Sequence, residues 1–171
     1  MVACPPDAAA VREAVESDRD AFAEFCWAAW RQAGPDAPGL AGATEEDIVE
    51  LTSPAAFAER IGGPDRWMFL AWEGSRVVGF AAIRRHDDAT VELAGIIVLA
   101  SSGGTGVGTA LVDAAIEKGR EGRHQSMVVR TETTNHAARG FYEARGFTYI
   151  RTSVEQVGDV PVEVWELSRP L

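Results

Sequence analysis

Residues 91–120 read VELAGIIVLASSGGTGVGTALVDAAIEKGR. The first ten are apolar and β-branched enough for a buried strand, and the last ten follow a helical pattern. Between them, four glycines fall among the six residues Gly103–Gly108. A backbone stripped of side chains at a strand-to-helix junction lets a ligand or a neighbouring chain approach it closely.

Three phosphate-binding patterns can be tested on this stretch. Gly103 and Gly108 have the Walker spacing, but Thr109 stands where that loop needs lysine. Gly104 and Gly106 begin a dinucleotide fingerprint that Thr109 ends, and Gly106 and Gly108 begin one that Leu111 ends. The residues do allow a concave anion site made of successive backbone N–H groups, Gly104–Gly108, supported by the dipole of the following helix. Such a cradle needs no side-chain cation, which suits an acidic chain. A flexible strand–helix connection is the alternative reading.

The surrounding chain has 171 residues, 46% hydrophobic and 25% charged, and is read as a single domain over 1–171 with an ordinary globular core. Its 16 basic and 26 acidic residues give a net charge of −10. That argues against nucleic acid as a partner, which requires a basic face, and is compatible with a cationic substrate. Lys118 is the only lysine. Cys4 and Cys26 form neither a CxxC pair nor a disulfide framework. His86, His124 and His136 are scattered, so no metal site is expected. No signal-like segment or membrane-length apolar run is apparent, which predicts a cytoplasmic protein without a membrane partner.

Outward from the glycines, VREAV at 11–15 reads as an edge strand. Ser17 or Asp18 then caps a helix to about Gln32, with Phe22, Phe25, Cys26 and Trp30 on one stripe. Gly34–Ala43 reads as a loop. Thr44–Asp47 resembles a capping box opening a second helical segment, which breaks before Pro54 and resumes towards Ile61. WMFLAW and RVVGFAAIRR, joined by EGS, are two strands, and HDDAT turns into the third, VELAGIIVLA. The helix after the glycines points Ala110, Leu111, Ala114 and Ala115 at the sheet. Met127–Thr131 is a strand, and Asn135–Ala144 a helix stopped by Gly146. FTYIRTSV and VPVEVWEL close the chain around EQVGD. The order β-α-α-β-β-β-α-β-α-β-β predicts an α/β fold of the α+β kind, a central mixed β-sheet flanked by helices. The exposed edges of the last strands allow a homodimer.

Within NHAARGFYEARGF, 135–147, Asn135, Ala138 and Tyr142 share one helix face. The spacing N-x-x-A-x-x-x-Y-x-x-x-G-F, with the glycine loop and the element order, resembles the GNAT superfamily of acetyl-CoA-dependent N-acetyltransferases. The first third matches only in element order. The resemblance implies the acyl-CoA N-acyltransferase fold and acetyl-CoA as co-substrate, without a metal. The family's loop pattern, Q/R-x-x-G-x-G/A, falls on Gly103, Gly104, Thr105, Gly106, Val107 and Gly108, with Thr109 following; Gly103 replaces the usual Arg or Gln. The resemblance gives the loop amides the pyrophosphate of coenzyme A. It gives the main chain of Ile96, Ile97 and Val98 the acetyl-pantetheine arm, and the helix face of Asn135, Ala138 and Tyr142 further cofactor contacts.

Acetyl transfer from a thioester to an amine has three needs. The amine must lose a proton, although alkylammonium pKa values are about 10. The tetrahedral oxyanion needs a donor, for which a backbone N–H of Ile96–Val98 serves. The departing thiolate benefits from a proton, which the Tyr142 phenol can give; a partly buried structural tyrosine is the alternative. Glu92 is a carboxylate in an apolar strand. It is similar to the glutamate base of some histone-type members, and burial would raise its pKa. A solvent-facing Glu92, with ordered water removing the proton, stays open. Arg139, Arg145, His136, Gly140 and the tryptophans Trp27, Trp30, Trp67 and Trp72 read as mostly structural. Ser101 and Ser102 lack a G-x-S-x-G elbow, and no cysteine is placed as an acyl carrier, so direct transfer in a ternary complex is expected. The family's acceptor groove maps onto 30–61 and 155–160, acidic segments suited to a primary amine of a small molecule or peptide. A catalytically inactive acyl-CoA-binding regulatory or sensor module is the rival reading.

Overall fold

The computed structural model describes residues 9–34, 40–157 and 159–171. Cys4, residues 35–39 of the expected loop and Gly158 of the last turn lie outside the described residues. The strands are β1 (Ala10–Glu13), β2 (Arg66–Glu73), β3 (Arg76–Arg85), β4 (Thr90–Val98), β5 (Ser126–Glu132), β6 (Thr148–Val157) and β7 (Val160–Pro170). The helices are α1 (Arg19–Gln32), α2 (Glu45–Leu51), α3 (Pro54–Ile61), α4 (Val107–Glu121) and α5 (His136–Glu143). The strands make one seven-stranded sheet in the order β1-β2-β3-β4-β5-β7-β6. β4 pairs with β5 in parallel, as a helical crossover requires, whereas β1–β2, β5–β7 and β6–β7 are antiparallel. The mixed sheet expected from the element order is the one observed.

The described residues group into two compact units, one running to Ile83 and including Gly95–Ala115, the other Arg84–Ala94 with Ile116–Leu171. In the first, an aromatic cluster forms the core: Phe22 lies 5.4 Å from Phe57 and 5.5 Å from Phe80, and Phe25 5.9 Å from Phe80. The buried stripe of α1 is Phe22, Phe25, Cys26 and Ala29. Trp30 is only half-buried, its indole N–H donating to the Ala43 carbonyl at 2.9 Å. Asp18 is the N-cap residue, yet its carboxylate makes no cap; it faces back to the Val15 N–H and the Arg12 guanidinium. Thr44 and Asp47 form the expected capping box on α2. Ser53 caps α3 with Pro54 in its first turn, which is why one acidic segment becomes two short helices.

Along α4, Leu111 and Ala115 are buried as expected, but Val112 and Ile116 complete the stripe while Ala110 and Ala114 are only half-buried. The buried face is turned by about one residue, roughly 100°, because the branched side chains take the deeper positions. In the first unit the start of α4 sits against Gly79 of β3: a methyl group there would lie 3.0 Å from Leu111 Cδ1, 3.1 Å from the Ile97 carbonyl and 3.2 Å from Val107 Cγ1. This close approach sets the height of the α4 N-terminus over the strands. In the second unit Val91, Leu93, Met127, Val129, Phe147 and Leu167 are buried together with Ile116.

Gly79→Ala is therefore expected to lift the first turn of α4 and lower stability by about 1–3 kcal/mol, an overpacking cost. Urea unfolding of the variant beside the parent checks it, and an unchanged midpoint would count against the tight approach.

Candidate active site

In the first unit, β4 delivers the chain to the glycine loop. The Leu99 N–H donates to the Val78 carbonyl at 2.8 Å, and Ala100–Ser102 make a single tight turn. Gly104 and Gly106 then take φ of +73° and +91°, the left-handed region that a Cβ disfavours. A Cβ at either would meet nothing within 4 Å, so the need for glycine is conformational rather than spatial. Gly103 is different: its φ of −62° suits any residue, although a Cβ there would approach the Ala100 carbonyl at 3.1 Å.

α4 starts at Val107, and its first i→i−4 bond runs from the Ala110 N–H to the Gly106 carbonyl at 2.9 Å. The amides of Val107 and Gly108 precede that bond, so no helical carbonyl reaches them, and they stand at the positive end of the helix dipole. The Thr105 hydroxyl donates to the Ser102 carbonyl at 2.7 Å, bracing the loop, whose residues Gly103–Gly106 are exposed. Main-chain donors at an exposed helix start are groups that could hold an anion. Ile96, Ile97 and Val98 are half-buried, and the registered pairing of β4 with β5 ends before them, at Leu93.

In the second unit, Asn135 is the N-cap of α5: its Oδ1 accepts from the Ala138 N–H at 3.0 Å. One amide oxygen thus builds the helix that carries Tyr142, leaving the NH₂ end as a donor. Tyr142 is buried between Phe141 and Phe147, ring centroids 5.4 and 5.6 Å away. Burial pushes its phenol up to about 12, so it stays protonated throughout the neutral range. Arg139 pairs with Glu143 at 2.8 Å and lies 4.5 Å over Trp165, and Arg145 lies over Phe141 while donating to its carbonyl. His136 stacks edge-on against Trp165. Around Gly140 an added Cβ would meet nothing within 4 Å.

The surroundings expected for Glu92 require correction. Glu92 is buried, but among charges rather than apolar groups: Arg84 Nε donates to its Oε2 at 2.7 Å and Arg130 Nη1 to its Oε1 at 2.9 Å. Each oxygen is committed to a guanidinium. Arg130 also donates through Nε to Glu166 at 2.9 Å and pairs with Glu155 at 3.2 Å, and Arg151 reaches Glu166 at 3.2 Å. Burial opposes ionisation of Glu166, yet the hydrogen bonds from Arg151 and Arg130 hold it below the ordinary carboxylate range. Sequence reasoning missed Arg130 and Glu166, although the signal that singled out Glu92, a charge inside an apolar strand, is equally present in MVVRTE and VEVWEL.

Arg130→Gln leaves two buried carboxylates short of their shared cation and is expected to cost about 3 kcal/mol or more in urea unfolding at neutral pH. Adding Glu92→Gln and Glu166→Gln to it should recover much of that loss. Tyr142 gives a second measurement. Because its folded pKa lies above the unfolded value of about 10, its contribution is whole below pH 10 and is lost as pH rises towards 12. The alkaline fall in stability should be shallower in Tyr142→Phe.

Known proteins resemble this chain throughout. The pattern of the Acetyltransferase (GNAT) family matches residues 17–147. An uncharacterized N-acetyltransferase of Mycobacterium tuberculosis (strain ATCC 25618 / H37Rv) is 30% identical over 106 residues, 62% of this chain and 68% of that protein. Among solved structures, a GCN5-related N-acetyltransferase from Rhodopseudomonas palustris is similar with a TM-score of 0.71 at 20% identity, over 100% of this chain and 99% of that one. The PaiA N-acetyltransferase from Thermoplasma acidophilum, solved in complex with coenzyme A, is similar with a TM-score of 0.71 at 17% identity, over 95% and 99%. A left-handed glycine loop at a helix start, an asparagine-capped helix bearing a buried tyrosine and a family match over most of the length agree: the chain belongs to the GNAT family of acetyltransferases.

Proposed function

We propose that this protein transfers an acetyl group from acetyl-CoA to a primary amine of a small molecule or peptide, by direct attack in a ternary complex. The observation that carries the reading is the pair of positive-φ glycines, Gly104 and Gly106, ahead of the unbonded amides of Val107 and Gly108. When bound, coenzyme A supplies the activated acetyl thioester. In the first unit the loop amides hold its diphosphate, and the main chain of Ile96–Val98 lines the pantetheine arm and offers the oxyanion its N–H donor. Tyr142 holds a proton that it gives to the departing sulfur, a role that its high pKa keeps filled at neutral pH. With both Glu92 oxygens held in ion pairs, the amine's proton leaves through water. Cys26 is not an acyl carrier, because it is fully buried and burial pushes its thiol up to about 12.

Release of free thiol from acetyl-CoA, followed over a panel of amines with mass detection of the product, tests this reading. Tyr142→Phe should lower kcat by about a hundredfold with little change in KM, the size of a lost general acid. Gly104→Ala should instead raise KM for acetyl-CoA, since a Cβ strains the left-handed turn. Glu92→Gln should leave the acid limb of the pH–rate profile in place; its disappearance would restore Glu92 as the base. Thiol release at background level with every amine, while acetyl-CoA still raises the melting temperature, would establish the inactive binding module. If acetyl-CoA does not move the melting temperature either, both readings fall.

A further inference from the structure

The far end of the glycine loop is set by the close seat of α4 on Gly79. Its near end is held by a side chain from a distant part of the sequence. β4 stops at Val98, and the Ala100 N–H opens the following tight turn, where no carbonyl of that turn can reach it. Gln32 supplies the missing acceptor: its Oε1 takes the Ala100 N–H at 3.2 Å, across 68 residues of sequence. Later bonds of the loop run in series from this point. The Ser102 N–H donates to the Leu99 carbonyl, the Gly103 N–H to the Ala100 carbonyl and the Thr105 hydroxyl to the Ser102 carbonyl. The Gly106 carbonyl then receives the Ala110 N–H as α4 begins. Gln32 is the last residue of α1, a helix fixed by its buried Phe22, Phe25, Cys26 and Ala29. The same last turn is braced by the Trp30 N–H on the Ala43 carbonyl. The anchor is therefore rigid.

We infer that Gln32 is a positioning residue for the coenzyme A loop, acting through the Ala100 amide; the inference rests on reading that loop as the cofactor site. Four glycines among six residues give the loop wide conformational freedom. Its amides hold a diphosphate only when they converge, and ordering them at the moment of binding costs affinity. A bond made at Ala100 before the ligand arrives removes part of that cost. Gly103 has no side chain with which the loop could be braced from within. Gln32 and Ala100 are both exposed, so their bond replaces bonds to water and adds little to the stability of the fold. A fixed loop is what it adds. The sequence hides this role, because a glutamine ending an amphipathic helix reads as a solvated residue.

Gln32→Met keeps the reach of the side chain and removes the acceptor. It should raise the calorimetric Kd of coenzyme A, and KM for acetyl-CoA, by about three- to tenfold, with kcat and melting temperature close to the parent's. Gln32→Glu keeps an oxygen at the same reach. It should stay within about twofold of the parent in roughly 0.3 M salt, where an exposed charge is screened. Amide exchange followed by NMR gives a readout that needs no ligand: the Ala100 N–H should exchange about threefold faster or more in Gln32→Met than in the parent. An unchanged Kd in Gln32→Met, equal weakening in Gln32→Met and Gln32→Glu, or unaltered exchange at Ala100 would each overturn the inference and leave the cofactor reading standing. A melting temperature that falls along with the affinity would overturn it too, by making Gln32 part of the fold. A parent chain that does not bind coenzyme A would bring down both.

Discussion

A helix begins with amide hydrogens that its own carbonyls cannot reach, and here that unmet demand is delivered by a strand through a loop of glycines. Much else answers to it. The loop can turn twice into the left-handed region only because Gly104 and Gly106 lack a Cβ. The helix that follows is seated by the missing side chain at Gly79, where even a methyl group would press on a carbonyl. An acidic protein thereby offers an anion a place made of dipoles and not of lysines. The overall charge of −10 does not conflict with the proposed cofactor site, because the donors there belong to the main chain.

The alternation of apolar strands, the capping residue Thr44 and the turn signals were enough to read the element order and the mixed sheet. Those signals act within a few residues, so one chain displays them. The loop and the Asn135–Tyr142 face were legible for the same reason, since the glycine spacing and the three- and seven-residue steps are local. Glu92 was singled out, but its partners were not legible. Its neighbours in sequence are apolar, whereas its neighbours in space are Arg84 and Arg130, eight and thirty-eight residues away. Strand register brings them together, and register depends on the whole sheet. Asp18 holds the expected N-cap position, but its carboxylate is diverted by the Arg12 guanidinium, a better partner for a carboxylate than a helix amide.

Burying ionised groups is costly unless each is matched, and the row from Arg84 to Arg151 does the matching by sharing. Arg130 serves Glu92 and Glu166 together, while the flanking Arg84 and Arg151 are half exposed, with side-chain exposures of 52% and 63%. The central ion is therefore the one with the least freedom, and the outer two can trade partners with solvent or with anything that docks there. A rigid middle and labile ends let the same row stabilise the sheet and remain responsive at its margins.

The single lysine acquires meaning from where α4 puts it. Activated thioesters acylate unguarded amines without help, and Lys118 is the one side-chain amine this polypeptide possesses. It stands in the last turns of that helix, mostly covered and 4.0 Å from the Glu121 carboxylate. A shielded amine beside a carboxylate is a poor target for acylation. The given sequence therefore offers a stray acetyl group one side-chain amine on which it could be sought.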